Sequence, residues 1–307
     1  MRGASPAAAA TETGPAFADG PALKGVYASL EELLALRHLR APALPRRAKG
    51  RRVGMHESRR KGRGIDLDEV REYQPGDDAR YIDWRVTARK AHAHIRVFRE
   101  ERELPTLIVV DQTRSMFFGS VTRLKSVAAA EVAARTAWRA LQAGDRVGGV
   151  VIGETELVAF RPHRSSVAVG RFLAAVAKAN QALSPARATA NSLGRLPETL
   201  ARLAPANQRI VVISDFAARE DWLDAVTALA SRNATSFVAI FDPLERRLPS
   251  VRRAFNVSDG VRRVRFDASL SAADYERRFV HRVDLLAARC RDAGIDLTTV
   301  ATNDPIP

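Results

Sequence analysis

The period of the apolar positions changes along this chain, and each change marks an element. Leu107-Ile108-Val109-Val110 is a continuous apolar run, the pattern of a strand buried on both faces. Residues 121–142 carry Ala128 to Ala130, Val132, Ala133 and Trp138 and predict a long helix that Gly144-Asp145 ends. Val147 to Ile152 and Leu157 to Phe160 predict strands, and Val167 to Ala182 a helix. Pro197 to Leu203 predicts another helix, with proline in its first turn. Ile210-Val211-Val212-Ile213 is a second doubly buried strand, followed by a helix from Trp222 to Ala230 and a strand from Phe237 to Phe241. Tyr275 to Ala293 predicts the last helix and Leu297 to Val300 the last strand. Strands alternating with helices imply a mostly parallel sheet covered on both faces, a three-layer α/β/α (Rossmann-like) domain over residues 105–307.

The part before residue 105 is patterned differently. Residues 1–24 are mostly Ala, Gly, Pro and Thr, too poor in large apolar side chains to repay ordering, and are expected to be a disordered tail. Ser29-Leu30-Glu31-Glu32 is a capping box with Leu30, Leu33 and Leu34 on one face, so residues 25–48 read as a short helix and a linker. Ala41-Pro42-Ala43-Leu44-Pro45 ends that helix. Residues 49–104 complete a basic arm and then become dense in paired charges, with turn chemistry at Pro75-Gly76-Asp77. Ile95 and Val97 alternate with Arg96 as in a strand with one wet face, which makes this a β-rich accessory segment.

Composition narrows the class. Of 307 residues, 46% are hydrophobic and 27% charged, ordinary for a soluble globular protein. No apolar run approaches the ~20 residues of a membrane span, and the N-terminus has no hydrophobic core of a secretory signal. The single cysteine, Cys290, excludes an intramolecular disulfide and a cysteine-cluster metal site, so the expected compartment is cytoplasmic. Cys290 lies beside Leu285 and Leu286 on an amphipathic helix and reads as packing rather than as a nucleophile.

The formal charge of +14 is unevenly spread: from Arg37 to Arg63 eleven basic residues face one acid, Glu57. Such an arm, over 37–64, could serve a nucleic-acid or anionic-surface binder, including peripheral membrane contact, or simply be solvated. It has no interleaved aromatics for base stacking, so nucleic acid is the weaker reading.

Two strands end alike. One runs into Asp111-Gln112-Thr113-Arg114-Ser115, the other into Ser214-Asp215-Phe216. In open parallel sheets, ligands sit beyond the carboxyl ends of the strands where strand order reverses. If the two strands are neighbours there, Asp111 and Asp215 converge, Thr113 and Ser115 add two hydroxyls, and Thr189 could add a third, with Ser192 its competitor. Hard oxygen ligands of this kind suit Mg²⁺ or Mn²⁺ rather than zinc. The same carboxylates could instead cap helices and tie loops, and the guanidinium of Arg114 could take a cation's place by pairing with Asp111.

Other chemistry is missing from the sequence. There is no phosphate-cradling Gly-x-x-x-x-Gly-Lys loop and no Gly-x-Ser-x-Gly elbow. His92 and His94 could chelate only with His56. No acid–base pair is evident, so the chain reads as an interaction protein rather than an enzyme, with a metal-dependent phosphoesterase the weaker alternative.

Asp111-x-Thr113-x-Ser115, Thr189 and Asp215 resemble the metal-ion-dependent adhesion site (MIDAS) of von Willebrand factor A-like domains. Gly64, Glu69-Val70-Arg71-x-Tyr73, Gly76-Asp77-Asp78-x-Arg80-x-Ile82-Asp83-Trp84 and Thr87-Ala88-Arg89 resemble the signature of the bacterial domain-of-unknown-function family fifty-eight (DUF58), whose members carry a von Willebrand A-like domain after it. The resemblance covers about residues 25–307. It implies a divalent metal at those five residues and a partner, a MoxR-type AAA+ ATPase, with which such proteins act in chaperone-like assembly. Within the signature, the Asp/Arg pairs read as an ion-pair lattice holding the segment to the main domain, and Trp84 as packing.

Overall fold

The computed structural model describes residues 23–38, 66–75, 77–90, 92–99, 105–184, 193–217, 220–248, 254–258 and 263–305. Of the tail expected at residues 1–24, residues 1–22 lie outside the described residues, as do nearly all of the basic arm and Thr189 with Ser192, whereas Leu23 is buried and donates its N–H to Glu131. The chain forms two compact units, one of Met1–Leu44 with Leu104–Pro307 and one of Pro45–Glu103.

Helix α1 (Leu30–Ala35) starts where the capping box places it. The Ser29 hydroxyl accepts the Glu32 N–H at 3.2 Å, and the Glu32 carboxylate accepts the Ser29 N–H at 2.8 Å. A 3-10 turn, Leu36–His38, continues it. Leu33 is buried, and its carbonyl accepts the Trp138 indole N–H at 3.0 Å, so this helix is part of the larger unit.

The smaller unit is built on the antiparallel strands β1 (Asp66–Glu72) and β2 (His94–Arg99), with helix α2 (Trp84–Thr87) between them. Among the described residues, several of its charges pair within the segment. Arg71 grips Asp77 with two hydrogen bonds of 2.8 and 2.9 Å, and Arg80 pairs with Asp78. Asp83 caps α2 through the N–H groups of Arg85 and Val86 and accepts the Arg96 guanidinium at 2.8 Å. These pairs brace the hairpin. Trp84, read as packing, is 70% exposed.

The larger unit continues through β3 (Thr106–Gln112), α3 (Lys125–Gln142), β4 (Val147–Gly153), β5 (Leu157–His163), α4 (Ser166–Gln181), α5 (Leu196–Leu203) and β6 (Arg209–Ser214). Then come α6 (Glu220–Leu229), β7 (Ala234–Phe241), α7 (Pro243–Arg246), the antiparallel pair β8 (Ala254–Ser258) and β9 (Arg263–Asp267), α8 (Ala268–Ala293) and β10 (Asp296–Ala301). Six strands form one sheet in the order β10-β7-β6-β3-β4-β5, parallel throughout except for the β4–β5 edge pair.

β3 is apolar on both sides because both sides are covered. Ile108 and Val110 pack with Ala129, Ala133 and Phe172 from α3 and α4, while Leu107 and Val109 pack with Leu200, Val226 and Cys290 from α5, α6 and α8. This is the three-layer α/β/α architecture that the von Willebrand A-like resemblance implies. The alanines of α3 are buried almost without exception, since only small side chains let a helix lie that close to its neighbours. On the sheet, Gly149 leaves room for Phe172: a β-carbon there would stand 2.2 Å from the ring.

Two expectations shift. The helix predicted from residue 121 begins at Lys125, because residues 117–124 turn so tightly that a β-carbon on Gly119 would meet the Arg123 carbonyl at 2.3 Å. The last helix begins at Ala268 rather than Tyr275. Helix α7 and the β8–β9 hairpin have too short a period to stand out in the sequence.

A buried charge cluster fastens the ends of this unit to α3. Glu131, fully buried, pairs with Arg123 at 2.6 Å and Arg135 at 2.7 Å and accepts the Leu23 N–H at 2.9 Å. Arg123 also donates to the carbonyls of Leu23 and Asp304.

Candidate functional site

The chain leaves β3 for β4 on one side of the sheet, while β6 lies on the other, so the crevice between β3 and β6 is where strand order reverses. Val110 is in register with Ile213, and the next residues, Asp111 and Ser214, face each other at the two strand tips. Asp111 is buried. Its Oδ1 accepts the Thr113 N–H at 2.9 Å and its Oδ2 accepts the Ser214 hydroxyl at 2.7 Å. A 3-10 turn, Arg114–Met116, then brings the Ser115 hydroxyl 3.4 Å from Thr113 Oγ1 and 3.3 Å from Asp215 Oδ1, to which it donates. Asp111, Thr113, Ser115 and Asp215 therefore share one pocket. Thr189, expected beside them, lies outside the described residues.

Asp215 stands on a sharp turn. Its Oδ1 accepts the Ala217 N–H at 3.0 Å, and Ser214 Oγ accepts the Phe216 N–H at 3.1 Å. Phe216 has φ 50°, left-handed backbone that costs a bulky residue free energy. Its ring stacks on Phe237 at 4.7 Å between centroids. Beyond Asp215 opens an apolar groove of about 190 Å³ lined by Phe216, Leu223, Phe241, Phe279 and Leu286.

The cation that reaches Asp215 is Lys125, which nothing in the sequence pattern singled out. Its ammonium lies 2.8 Å from Asp215 Oδ2 and 2.7 Å from Glu245 Oε1, with the side chain 2% exposed. Burial disfavours the charge, but the two carboxylates outweigh it and hold the ammonium above the ordinary lysine range. Glu245 is fixed in turn. Its Oε2 accepts the Asp242 N–H at 2.9 Å in the capping box of α7. Buried Asp242 accepts from the Ser120 N–H at 2.8 Å and from the Thr302 hydroxyl at 2.6 Å. The sequence held little signal for it: Lys125 is one of six lysines, and only the structure shows that it opens α3 and is buried with the rest of the first turn. A cation at a helix N-terminus opposes the macrodipole, so something else must hold it there. Arg114, which the sequence offered as a rival cation, donates its backbone N–H to Glu154 at 2.7 Å.

Burial, and then the charge of Asp215, push the Asp111 carboxyl up to about 6, against the hydrogen bonds from Ser214 and Thr113. Two carboxylates and two hydroxyls, without sulfur or imidazole, form a donor set that fits a hard dication. Among the described residues no group of three or more His, Cys, Asp or Glu could hold a metal by itself, so the hydroxyls of Thr113 and Ser115 are essential to this one. Elsewhere, His94 Nδ1 lies 2.8 Å from the His92 carbonyl, and the expected third histidine, His56, is outside the described residues. Cys290 is buried, and burial pushes its thiol up to about 11, which leaves it inert.

Comparison with known proteins agrees with the signature. A family model described as "Protein of unknown function DUF58" matches residues 69–281. Uncharacterized proteins of Mycobacterium bovis and Mycobacterium tuberculosis are each 30% identical over 250 residues, 79% of this chain and 76% of theirs. Among solved structures, the conserved hypothetical protein BatB from Bacteroides thetaiotaomicron gives a TM-score of 0.39 at 14% identity, covering 64% of this chain and 90% of its own. The VWA domain of SpRpn10 gives 0.34 at 15% identity, covering 67% and 92%.

Proposed function

The chain belongs to the DUF58 family, whose description assigns no activity, and we propose that it is a non-enzymatic interaction module that receives an acidic side chain of a protein partner at the tips of β3 and β6. The observation that carries this reading is the meeting of Asp111, Thr113, Ser115 and Asp215 at the two strand tips. Asp111, Thr113, Ser115 and Asp215 would hold Mg²⁺, or Mn²⁺ in its place, which would supply a Lewis-acidic position for a visiting carboxylate. The chain's own part is to bind and orient: Ser214 and Thr113 fix Asp111, Lys125 fixes Asp215, and the turn at residues 114–116 presents the hydroxyls.

The partner class follows from the family resemblance: a MoxR-type AAA+ ATPase, with the pair acting in chaperone-like assembly in the cytoplasm. Among the described residues no helix is long and apolar enough to cross a membrane.

The test is retention of a MoxR-type AAA+ ATPase of the same organism on the immobilised full chain, in Mg²⁺ and in chelator. Retention should fall about tenfold in chelator and in Ser115→Ala or Asp111→Ala, each removing one ligand. Equal retention by variants whose circular dichroism matches the parent would reject the site.

A further inference from the structure

Asp215 serves two directions at once. Its Oδ1 faces Ser115 at 3.3 Å, on the side of the hydroxyl pair, while its Oδ2 is held by Lys125 at 2.8 Å. Water does not screen the ammonium, because the Lys125 side chain is 2% exposed. Charges this close act strongly in a buried setting. Glu245 takes the other side of the same ammonium at 2.7 Å and cancels part of its charge. The pocket is thus bordered by a cation whose effective charge a third carboxylate sets.

Resting on the cation-dependent reading above, we infer that Lys125 is a positioning residue that sets the pocket's affinity for a divalent cation. It holds Asp215 with Oδ1 turned to Ser115 before the dication arrives, and by like-charge repulsion it keeps that dication weakly and reversibly bound. Glu245 moderates the repulsion. Lys125 and Glu245 therefore act on cation affinity with opposite signs, although both belong to one ion-paired cluster.

The experiment is Mn²⁺ titration of the full chain, followed by electron paramagnetic resonance of free Mn²⁺ and by thermal melting with and without the ion. Lys125→Met should melt lower than the parent in metal-free buffer, bind Mn²⁺ about tenfold more tightly, and gain more melting temperature from Mn²⁺ than the parent does. Glu245→Gln keeps an acceptor for the Asp242 N–H and leaves the ammonium less neutralised, so it should bind Mn²⁺ about threefold more weakly. Weaker binding in both variants would mean that the cluster is merely structural, and unchanged binding in both would remove Lys125 from the account. Should Lys125→Met fail to fold, Glu245→Gln decides: unchanged or tighter binding overturns the inference. Asp111→Ala separates the two readings. Binding in the parent that this change abolishes, with no tightening in Lys125→Met, overturns the role of Lys125 alone. No Mn²⁺ binding in the parent overturns both.

Discussion

The Ser214 hydroxyl donates to Asp111 Oδ2 at 2.7 Å and joins the tips of β6 and β3 where the strand order reverses. The same oxygen accepts the Phe216 N–H, so one side chain sets both the carboxylate and the turn that carries Asp215. Ser214→Ala leaves a buried acceptor and a buried donor without partners, which costs about 1–3 kcal/mol. Urea denaturation should show this as a lower midpoint with an unchanged slope.

Asp111 makes stability depend on pH with a defined sign. Its folded carboxyl is pushed up to about 6, above the ordinary 3.8, by burial and then by the charge of Asp215. Between those values the folded state holds more protons than the unfolded chain. The stabilisation from this group is complete below the lower value and is lost as pH rises through the upper one. Asp111→Asn removes the titration. Without metal, the variant should be more stable than the parent above about pH 7, by on the order of 1–3 kcal/mol, and its advantage should vanish near about pH 4. Melting curves across that range check it, and a gap that does not change with pH would show that Asp111 titrates normally.

Trp138 fastens α1 to α3 through the Leu33 carbonyl. Trp138→Phe keeps most of the apolar contact and removes the donor, leaving a buried carbonyl unpaired at a cost of about 1–3 kcal/mol. Limited proteolysis should then cut near residues 30–38 earlier than in the parent.

Gly149 and Phe172 should be coupled. A β-carbon on residue 149 would stand 2.2 Å from the Phe172 ring, which is itself buried and set edge-on against Phe160. Gly149→Ala should cost about 1–3 kcal/mol through overpacking. Adding Phe172→Leu should recover part of that loss, which a double-mutant cycle measures as a favourable interaction term.

Where one physical signal dominated, the fold was legible in the sequence. The apolar runs 107–110 and 210–213 required burial on two faces, and they are the adjacent central strands. Ser29 and Glu32 marked the start of α1 to the residue. Asp111, Thr113, Ser115 and Asp215 could be proposed as one group because strand-end position alone constrains them. Lys125 was hidden because it pairs with residues 90 and 120 positions away, and an isolated lysine opening a helix looks like any solvated one. The start of α3 was hidden as well: nothing local in residues 121–124 forbids helix, and only the close approach of Gly119 to Arg123 does.

The left-handed backbone at Phe216 has a consequence for the whole pocket. A phenylalanine holds that conformation at a penalty of about 1–3 kcal/mol, offset by its ring lying flat on Phe237. The carboxylate one residue upstream is thus kept in aim by an aromatic clasp rather than by its own bonds alone. Prying the two rings apart would release a sprung joint, and Asp215 would swing with it.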